Sequence, residues 1–589
     1  MNKKIISGLL CLGMAFSATA QIALEKTVEL TGKSKNKGYL GNVVVDDVKQ
    51  QFDMVFVTKD NNRKVEYEVY QFDYEFNLLN NFKEAERKVR SRSKNKTYKG
   101  DYWETIGVTA SPNMTGKLVL RKTLYIYQWN WWKGGYEITK KLLDKEKPKE
   151  ISGDGDDKKR KLFYTSHRDL TDKGELLVLA LINKGMDMYK DANREYLLMH
   201  IDKDLNTLKK TPIKFDNPQS LLISKEFEET GEWVMIFAPT GGQGYGKIAD
   251  ANPNNLTYVK IDEAGNVKER FNFNGKCNEW AIFDAYAIGD DIYFYGAGNI
   301  NKPEKNHTKF PFSISNDAMA SPVDEAGRMA MLEGMKFGYL QVAKISNGKA
   351  EFVSAVSMED INAKGIKPAS QKKLREFDGK KFILNGVNIT SNGDIFISGQ
   401  DFKIDQMGET KGRVYKDLLM FQFDKAGEFK RYYGVENTAK PAGLFGGAGG
   451  AKSFPSEFAL YEAPNGKDLF WNVFLVQDVD VDCSSETSTN YLAGTKTTTT
   501  TCVYTPLYQG KFGKIDMASG SISDFTTFGG KDYYLYIDLE DNGKGKDSPY
   551  FSINGGKQLV YVARQRKGGM SGSERWGNSL WFGKFDPTK

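Results

Sequence analysis

The stretch that decides the fold is S579-L-W-F-G-K-F-D-P-T-K589, the end of the chain. Its alternating apolar residues read as a β-strand, and Asp586-Pro587 reads as the start of a turn, yet nothing follows the turn. A strand left there without a neighbour exposes a row of backbone donors and acceptors. The same kind of stretch occurs seven times upstream. Clear copies are "YEVYQFDYEFNLLNN" from Tyr67, "YLLMHIDKDLNTLKK" from Tyr196, "LTYVKIDEAGNVKER" from Leu256, "LLMFQFDKAGEFKR" from Leu418 and "YQGKFGKIDMASGSISDF" from Tyr508. Weaker copies are "LYIYQWNWWKGGYEITKK" from Leu124 and "LQVAKISNGKAEFVS" from Leu340.

The turn residues are Asp73, Asn130, Asp202, Asp262, Ser346, Asp424, Asp516 and Asp586, spaced 57 to 92 residues apart. Each interval has room for four strands. A turn and a very apolar strand precede most copies, as in "TDKGELLVLA", "EETGEWVMIF", "TSNGDIFISG" and "INGGKQLVYV". One further strand lies upstream, as in "KLFYTSH" or "KFILNGVNI". Each unit is therefore a four-stranded antiparallel meander, a to d, with short a–b and c–d turns.

Repeated meanders that each need a neighbour to cover their faces argue for radial repetition. The pattern resembles that of β-propellers. It lies in periodicity, since no Trp-Asp or Kelch-type signature is present. The expected fold is all-β, an eight-bladed β-propeller; seven blades is the alternative count, because the second unit is irregular. The last unit ends with its c strand, and "IALEKTVELTG" (residues 22–32) is an alternating strand with no a, b or c before it. Pairing the two completes the eighth blade, as the resemblance implies for propellers in general.

Composition agrees with a folded, turn-rich β protein: of 589 residues 40% are hydrophobic and 13% aromatic, with 58 Gly and 16 Pro. Residues 1–20 ("MNKK", then "IISGLLCLGMAF", then "SATA") read as a cleaved secretory signal, and Leu10 before Cys11 argues against lipidation. Residues 21–589 are then expected to form a single propeller domain. Without Lys3 and Lys4 the formal charge falls from +7 to +5, so the total gives no support to a nucleic-acid role. No later run is long and apolar enough to be a membrane helix. The composition, and the Gln that begins the mature chain, look similar to exported proteins of the Bacteroidota.

The mature chain has three cysteines. Cys483 and Cys502 bracket a Thr-rich loop and are expected to pair in an oxidising compartment, leaving Cys277 free and buried.

Long segments fall between b and c (238–255, 298–337, 400–416, 478–505, 564–578) and between d and a (141–160, 356–380, 434–455, 528–550). In a meander these connections share one face. Rigidly held loops carry function, so this face is the expected docking side, with Tyr245, Phe310, Phe312, Phe445, Arg575 and Trp576 as partner-binding candidates. Lys88, Arg90, Arg92, Lys94 and Lys96 form a basic patch on the outermost strand of the first unit, read either as edge protection or as contact with an acidic surface.

Catalytic and metal motifs are not found. "GGQGYGK" lacks the Ser/Thr of a phosphate loop, because Ile248 stands there. "GGMSGS" misses the nucleophile elbow at Ser573. His167, His200 and His307 have no zinc spacing, and His200 reads as structural. Asp478, Asp480 and Asp482, like Asp154, Asp156 and Asp157, lack a calcium-loop frame.

The expectation is a non-catalytic periplasmic protein without cofactor, or else a secreted or surface one. It would bind a protein partner in the cell envelope, such as an outer-membrane complex of the type IX secretion translocon kind. The alternative is a glycan binder, hydrolase or lyase working at the central channel, which needs polar residues converging on the inner strands. Those strands read as mostly apolar, with Asp284 the exception.

Overall fold

A computed structural model describes residues 22–35, 39–60, 64–90, 97–99, 102–113, 117–130, 135–142, 149–150, 161–170, 173–183, 195–216, 219–227, 230–239, 254–277, 279–300, 333–407, 410–437, 455–490, 495–529, 533–535, 550–566 and 576–586. The chain folds into eight antiparallel sheets taken in sequence order, an eight-bladed β-propeller as the repeats predict. Blade 3 shows the plan: Lys161–Leu170, Glu175–Asn183, Glu195–Ile201 and Thr207–Lys214 pair in order. The first strands of successive blades meet one another around the ring, so they form its inner tier.

The last blade is completed from the other end of the chain. Its third strand, Trp576–Phe585, pairs with Gln558–Arg566 on one side and with Ile22–Glu29 on the other. Val28 stands opposite Leu580 and Lys26 opposite Phe582. Beneath this seam the two end blades share one apolar core, in which Phe582 packs against Phe52, Phe72 and Phe76 at centroid distances of 5.9, 5.1 and 5.0 Å.

The aspartates that mark the repeats organise the turns between third and fourth strands. Asp73 Oδ1 accepts from Glu75 N and Asn77 N, Asp202 Oδ1 from Asp204 N and Asn206 N, and Asp424 Oδ1 from Ala426 N and Glu428 N, all at 2.8–2.9 Å. The fourth turn residue is left-handed each time: Phe76, Leu205, Gly265 and Gly427 have φ of 60, 65, 70 and 82°. A carboxylate saturated by its own turn has little left for a metal ion. These positions are architectural.

Three expectations are corrected. Segments 478–505 and 400–416 were expected as loops between second and third strands. Instead the strands continue: Asp468–Asn490 pairs with Thr495–Asp516 to its tip, and Ile395–Met407 with Thr410–Phe423. Backbone pairing alone continues each hairpin past its blade, so polar residues no longer signal a loop. Within 528–550, Tyr533–Leu535 is a strand on the far end of Gln558–Arg566, while Tyr550–Ile553 pairs with its near end.

Blade 2, expected to have four strands, has three long ones among the described residues: Tyr102–Pro112, Leu118–Asn130 and Gly135–Leu142. A stub, Lys149–Glu150, continues the edge beside Gly135–Leu142 by pairing with the middle strand. No described helix is long and apolar enough to cross a membrane.

Candidate functional site

The inner strands carry a shared irregularity. A β-bulge interrupts them between Leu40 and Asn42, Tyr164 and Ser166, Leu221 and Ile223, Ile282 and Asp284, and Leu384 and Gly386. A bulge adds one residue and redirects the side chains after it, and bulges are over-represented beside active sites. On blade 3 the residues before it are largely apolar and those after it largely polar, on blade 4 Ser224, Lys225 and Glu226 follow it, and on blade 5 Asp284 follows it ahead of an apolar run.

Past the bulge of blade 3 run Ser166, His167, Arg168 and Asp169; past that of blade 4, Ser224, Lys225 and Glu226; past that of blade 5, Asp284. They meet across the blade boundaries. Ser166 Oγ donates to Ser224 Oγ at 2.9 Å, and Trp233 Nε1 donates to the same oxygen at 2.7 Å. The buried Arg168 guanidinium donates to Gly231 O at 2.6 Å and lies 3.6 Å from Glu226 and 3.5 Å from Glu263. Lys225 Nζ is 2.9 Å from Asp284 Oδ1.

His167 lies on the other side of its strand. Its Nδ1 is 2.7 Å from Tyr164 Oη, and its Nε2 is 3.7 Å from Asp169 Oδ1. The imidazole keeps 31% of its surface, whereas Asp169 keeps 14%. A histidine with a phenol on one nitrogen, a carboxylate near the other and an open face can relay a proton. Arg168 is different: its hydrogen bond and its flanking carboxylates compensate a buried cation and lock two blades together.

This corrects the expectation that the inner strands are mostly apolar, with Asp284 alone of note. Before the bulge it holds, since Leu162, Leu221 and Ile282 are buried. After the bulge it fails. His167 and Asp284 were visible in the sequence, but the pairing of Asp284 with Lys225 depends on where each strand slips by one residue.

Of the residues expected to bind a partner, Tyr245, Phe310, Phe312, Phe445 and Arg575 lie outside the described residues. Trp576 is described in its backbone alone, opposite Arg566. Lys88 and Arg90 pair as backbone with Lys99 and Thr97, while Arg92, Lys94 and Lys96 lie outside the described residues, as do residues 1–20. Cys483 stands opposite Cys502 in the register of the long ribbon. The carboxylates of Asp154, Asp156, Asp157, Asp478, Asp480 and Asp482 fall outside the described side chains. Among the described residues no group of three or more His, Cys, Asp or Glu could hold a metal ion.

His200, on the third strand of blade 3, bonds Glu175 through Nε2 at 2.8 Å, the structural role expected of it. Cys277 is buried, and burial pushes its thiol up to about 12. We expect it to resist alkylation in the native protein for hours and to react at once after unfolding, as thiol counting by mass spectrometry would show.

No protein-family description matches the chain, and no curated protein matches it. Solved structures similar to it include the lignostilbene dioxygenase of Pseudomonas brassicacearum, at 10% identity over 86% of this chain and 94% of that one, TM-score 0.26. A point mutant of the Synechocystis apocarotenoid oxygenase is similar at 9% identity over 82% and 93%, TM-score 0.27. The Drosophila Semaphorin 1b extracellular domains are similar at 8% over 82% and 86%, TM-score 0.23. Likeness at this level assigns no activity to this chain. The expectation of a non-catalytic docking protein is corrected at this point, since oxygenases stand among these structures.

Proposed function

We propose that the protein binds a polar ligand at the inner ends of blades 3 to 5 and that His167 exchanges a proton with it. The observation that carries this reading is the imidazole held between Tyr164 and Asp169 on an inner strand, with its face partly open. The Lys225–Asp284 pair on the adjoining inner strands, both side chains more than a third exposed, supplies one charge of each sign for orienting the ligand. Hydroxyl- or amino-bearing compounds fit such a site; wholly apolar ones do not.

A thermal-shift screen of polar small molecules against the wild type and His167→Gln tests it. At least one compound is expected to raise the wild-type Tm by several degrees and to lose that effect in the variant. Equal shifts in both proteins, or none in either, would overturn the reading.

In this reading the protein works in the periplasm after removal of residues 1–20, with Cys483 and Cys502 joined. Directly opposed residues of antiparallel strands have Cα separations of about 4.5–5.5 Å, within the range a disulfide spans, which supports the pairing. Denatured without reductant, residues 21–589 should then present one reactive thiol; three would refute the bridge.

A further inference from the structure

On the side of blade 6 opposite its short turns, the chain between blades 5 and 6 forms a strap. A short helix, Met358–Ala363, opens it, capped by Ser357 Oγ accepting from Asp360 N at 3.0 Å. Gly365–Ile366 then adds a parallel strand outside Phe429–Val435. The remainder, to Lys381, crosses the top of the blade, where Phe377 packs on Phe382, Phe421 and Tyr432.

Two aspartates meet this strap where the blade's long hairpin leaves the sheet. Asp401 stands at a bulge, where it alone faces two residues of the partner strand, Lys416 and Asp417. Its Oδ1 accepts from Asp417 N at 2.5 Å and its Oδ2 lies 3.3 Å from Lys416 Nζ. Asp417 in turn accepts from Asn437 N at 3.2 Å and lies 3.7 Å from Arg375 Nε of the strap. Arg375 also pairs with Glu436, and its carbonyl accepts from Tyr432 Oη at 2.8 Å. Gln371, also of the strap, accepts from Glu436 N at 2.8 Å and donates to Gly434 O at 3.0 Å. The strap is thus tied to both the hairpin root and the end of the fourth strand through Arg375 and Gln371.

We infer that Asp401, Asp417 and Arg375 form a proton-operated latch that holds strap 364–381 down on blade 6 in mild acid and loosens it at neutral pH. Lys416, Asp417 and Tyr432 are the charged and titratable groups that interact with Asp401, while Arg375 and Glu436 stand beyond Asp417 and Glu376 acts on Tyr432. Burial pushes the Asp401 carboxyl up to about 6; Lys416 opposes this and the Asp417 carboxylate adds to it. Protonating Asp401 removes the repulsion between its carboxylate and that of Asp417, the partner of Arg375. Because the latched form binds this proton more tightly, its extra stability is complete below the ordinary aspartate range and is lost as pH rises through about 6. The latch is separate from the His167 site, and neither depends on the other.

Hydrogen exchange of peptides spanning 364–381, corrected for the chemical pH dependence of exchange, tests this. Wild-type protection is expected to be about tenfold higher at pH 5 than at pH 7.5, as follows for a carboxyl that titrates at about 6 in the latched form and in the ordinary aspartate range in the open form. Asp401→Asn, neutral throughout, should show the high protection at both pH values. Arg375→Ala should show low protection at both, while peptides of blade 3 remain as in the wild type. Wild-type protection that is equal at the two pH values would overturn the inference, and so would a pH dependence that survives in Asp401→Asn.

Discussion

Deleting residues 22–29 is expected to abolish a cooperative thermal transition or to lower Tm by more than 10 °C, read by calorimetry or near-ultraviolet circular dichroism. The deletion removes the whole outer strand of blade 8 and exposes the edge of Trp576–Phe585 along its length. Leu24 and Val28 also leave the seam core. At about 1.5–3 kcal/mol for a fully buried aliphatic side chain, these two half-buried ones are worth on the order of 2 kcal/mol, before any lost backbone pairing. Stability of the whole chain is only about 5–15 kcal/mol for typical domains, so this loss and that of the pairing together are decisive. The exposed edge should also drive association. A variant that melts within 2 °C of the wild type as a monomer would show that the ring does not need this closure.

Glu68→Ala is the second substitution with a large expected effect, a loss of about 3 kcal/mol measured by denaturant unfolding. Glu68 is buried on the third strand of blade 1. Its carboxylate accepts from Lys33 N at 2.9 Å, Ser34 N at 2.9 Å and Ser34 Oγ at 2.7 Å, pinning the crossing from the closure strand to blade 1. Gly32 sits beside it at φ +62°, where an added Cβ would lie 2.5 Å from Glu68 Oε1, so only glycine fits this crossing. Alanine at position 68 leaves the amides of Lys33 and Ser34 without their acceptor, at roughly 1–3 kcal/mol each before relaxation. Arg564 holds the same crossing from blade 8 by donating to Ser34 O at 2.8 Å.

The pH dependence of this clamp has a definite sign. Burial raises the Glu68 carboxyl, but the Lys33, Ser34 and Lys83 donors outweigh it and hold the group below its ordinary value of 4.5. A depressed folded-state value gives stability that is present above that ordinary value and is lost as pH falls through the depressed one. Wild-type stability should therefore fall on acidification below about pH 4.5, and Glu68→Gln should flatten part of that slope. An unchanged slope would show that Glu68 does not set it. Asp401 acts in the opposite sense, so the two groups are separable by pH.

Some of this protein follows from short-range rules acting on the chain alone. Alternation from Ile22 and from Leu580 specifies strands, because side chains in an extended chain point to opposite faces. Asp73, Asp202, Asp262 and Asp424 specify turns, because their carboxylates bind their own backbone two to four residues on. Eight such units with an unfinished last member are enough to imply the closed ring. The long ribbons at 478–505 and 400–416 escaped this logic, since a hairpin runs on past its blade through backbone pairing alone, which leaves no mark on the choice of side chains.

The sites were decided by tertiary structure. His167, Lys225 and Asp284 lie on three different blades, more than 50 residues apart from one to the next, and their side chains face as they do only because one-residue bulges turn the inner strands. Asp401 and Asp417 interact because a second bulge sets where a hairpin departs from its sheet, and Arg375 reaches them from a strap whose path is set by packing of Phe377. Local alternation and turn chemistry act over a few residues, so they can be read along the chain. A bulge position, or an ion pair across a blade boundary, is chosen by the packing of whole sheets, which no single stretch contains.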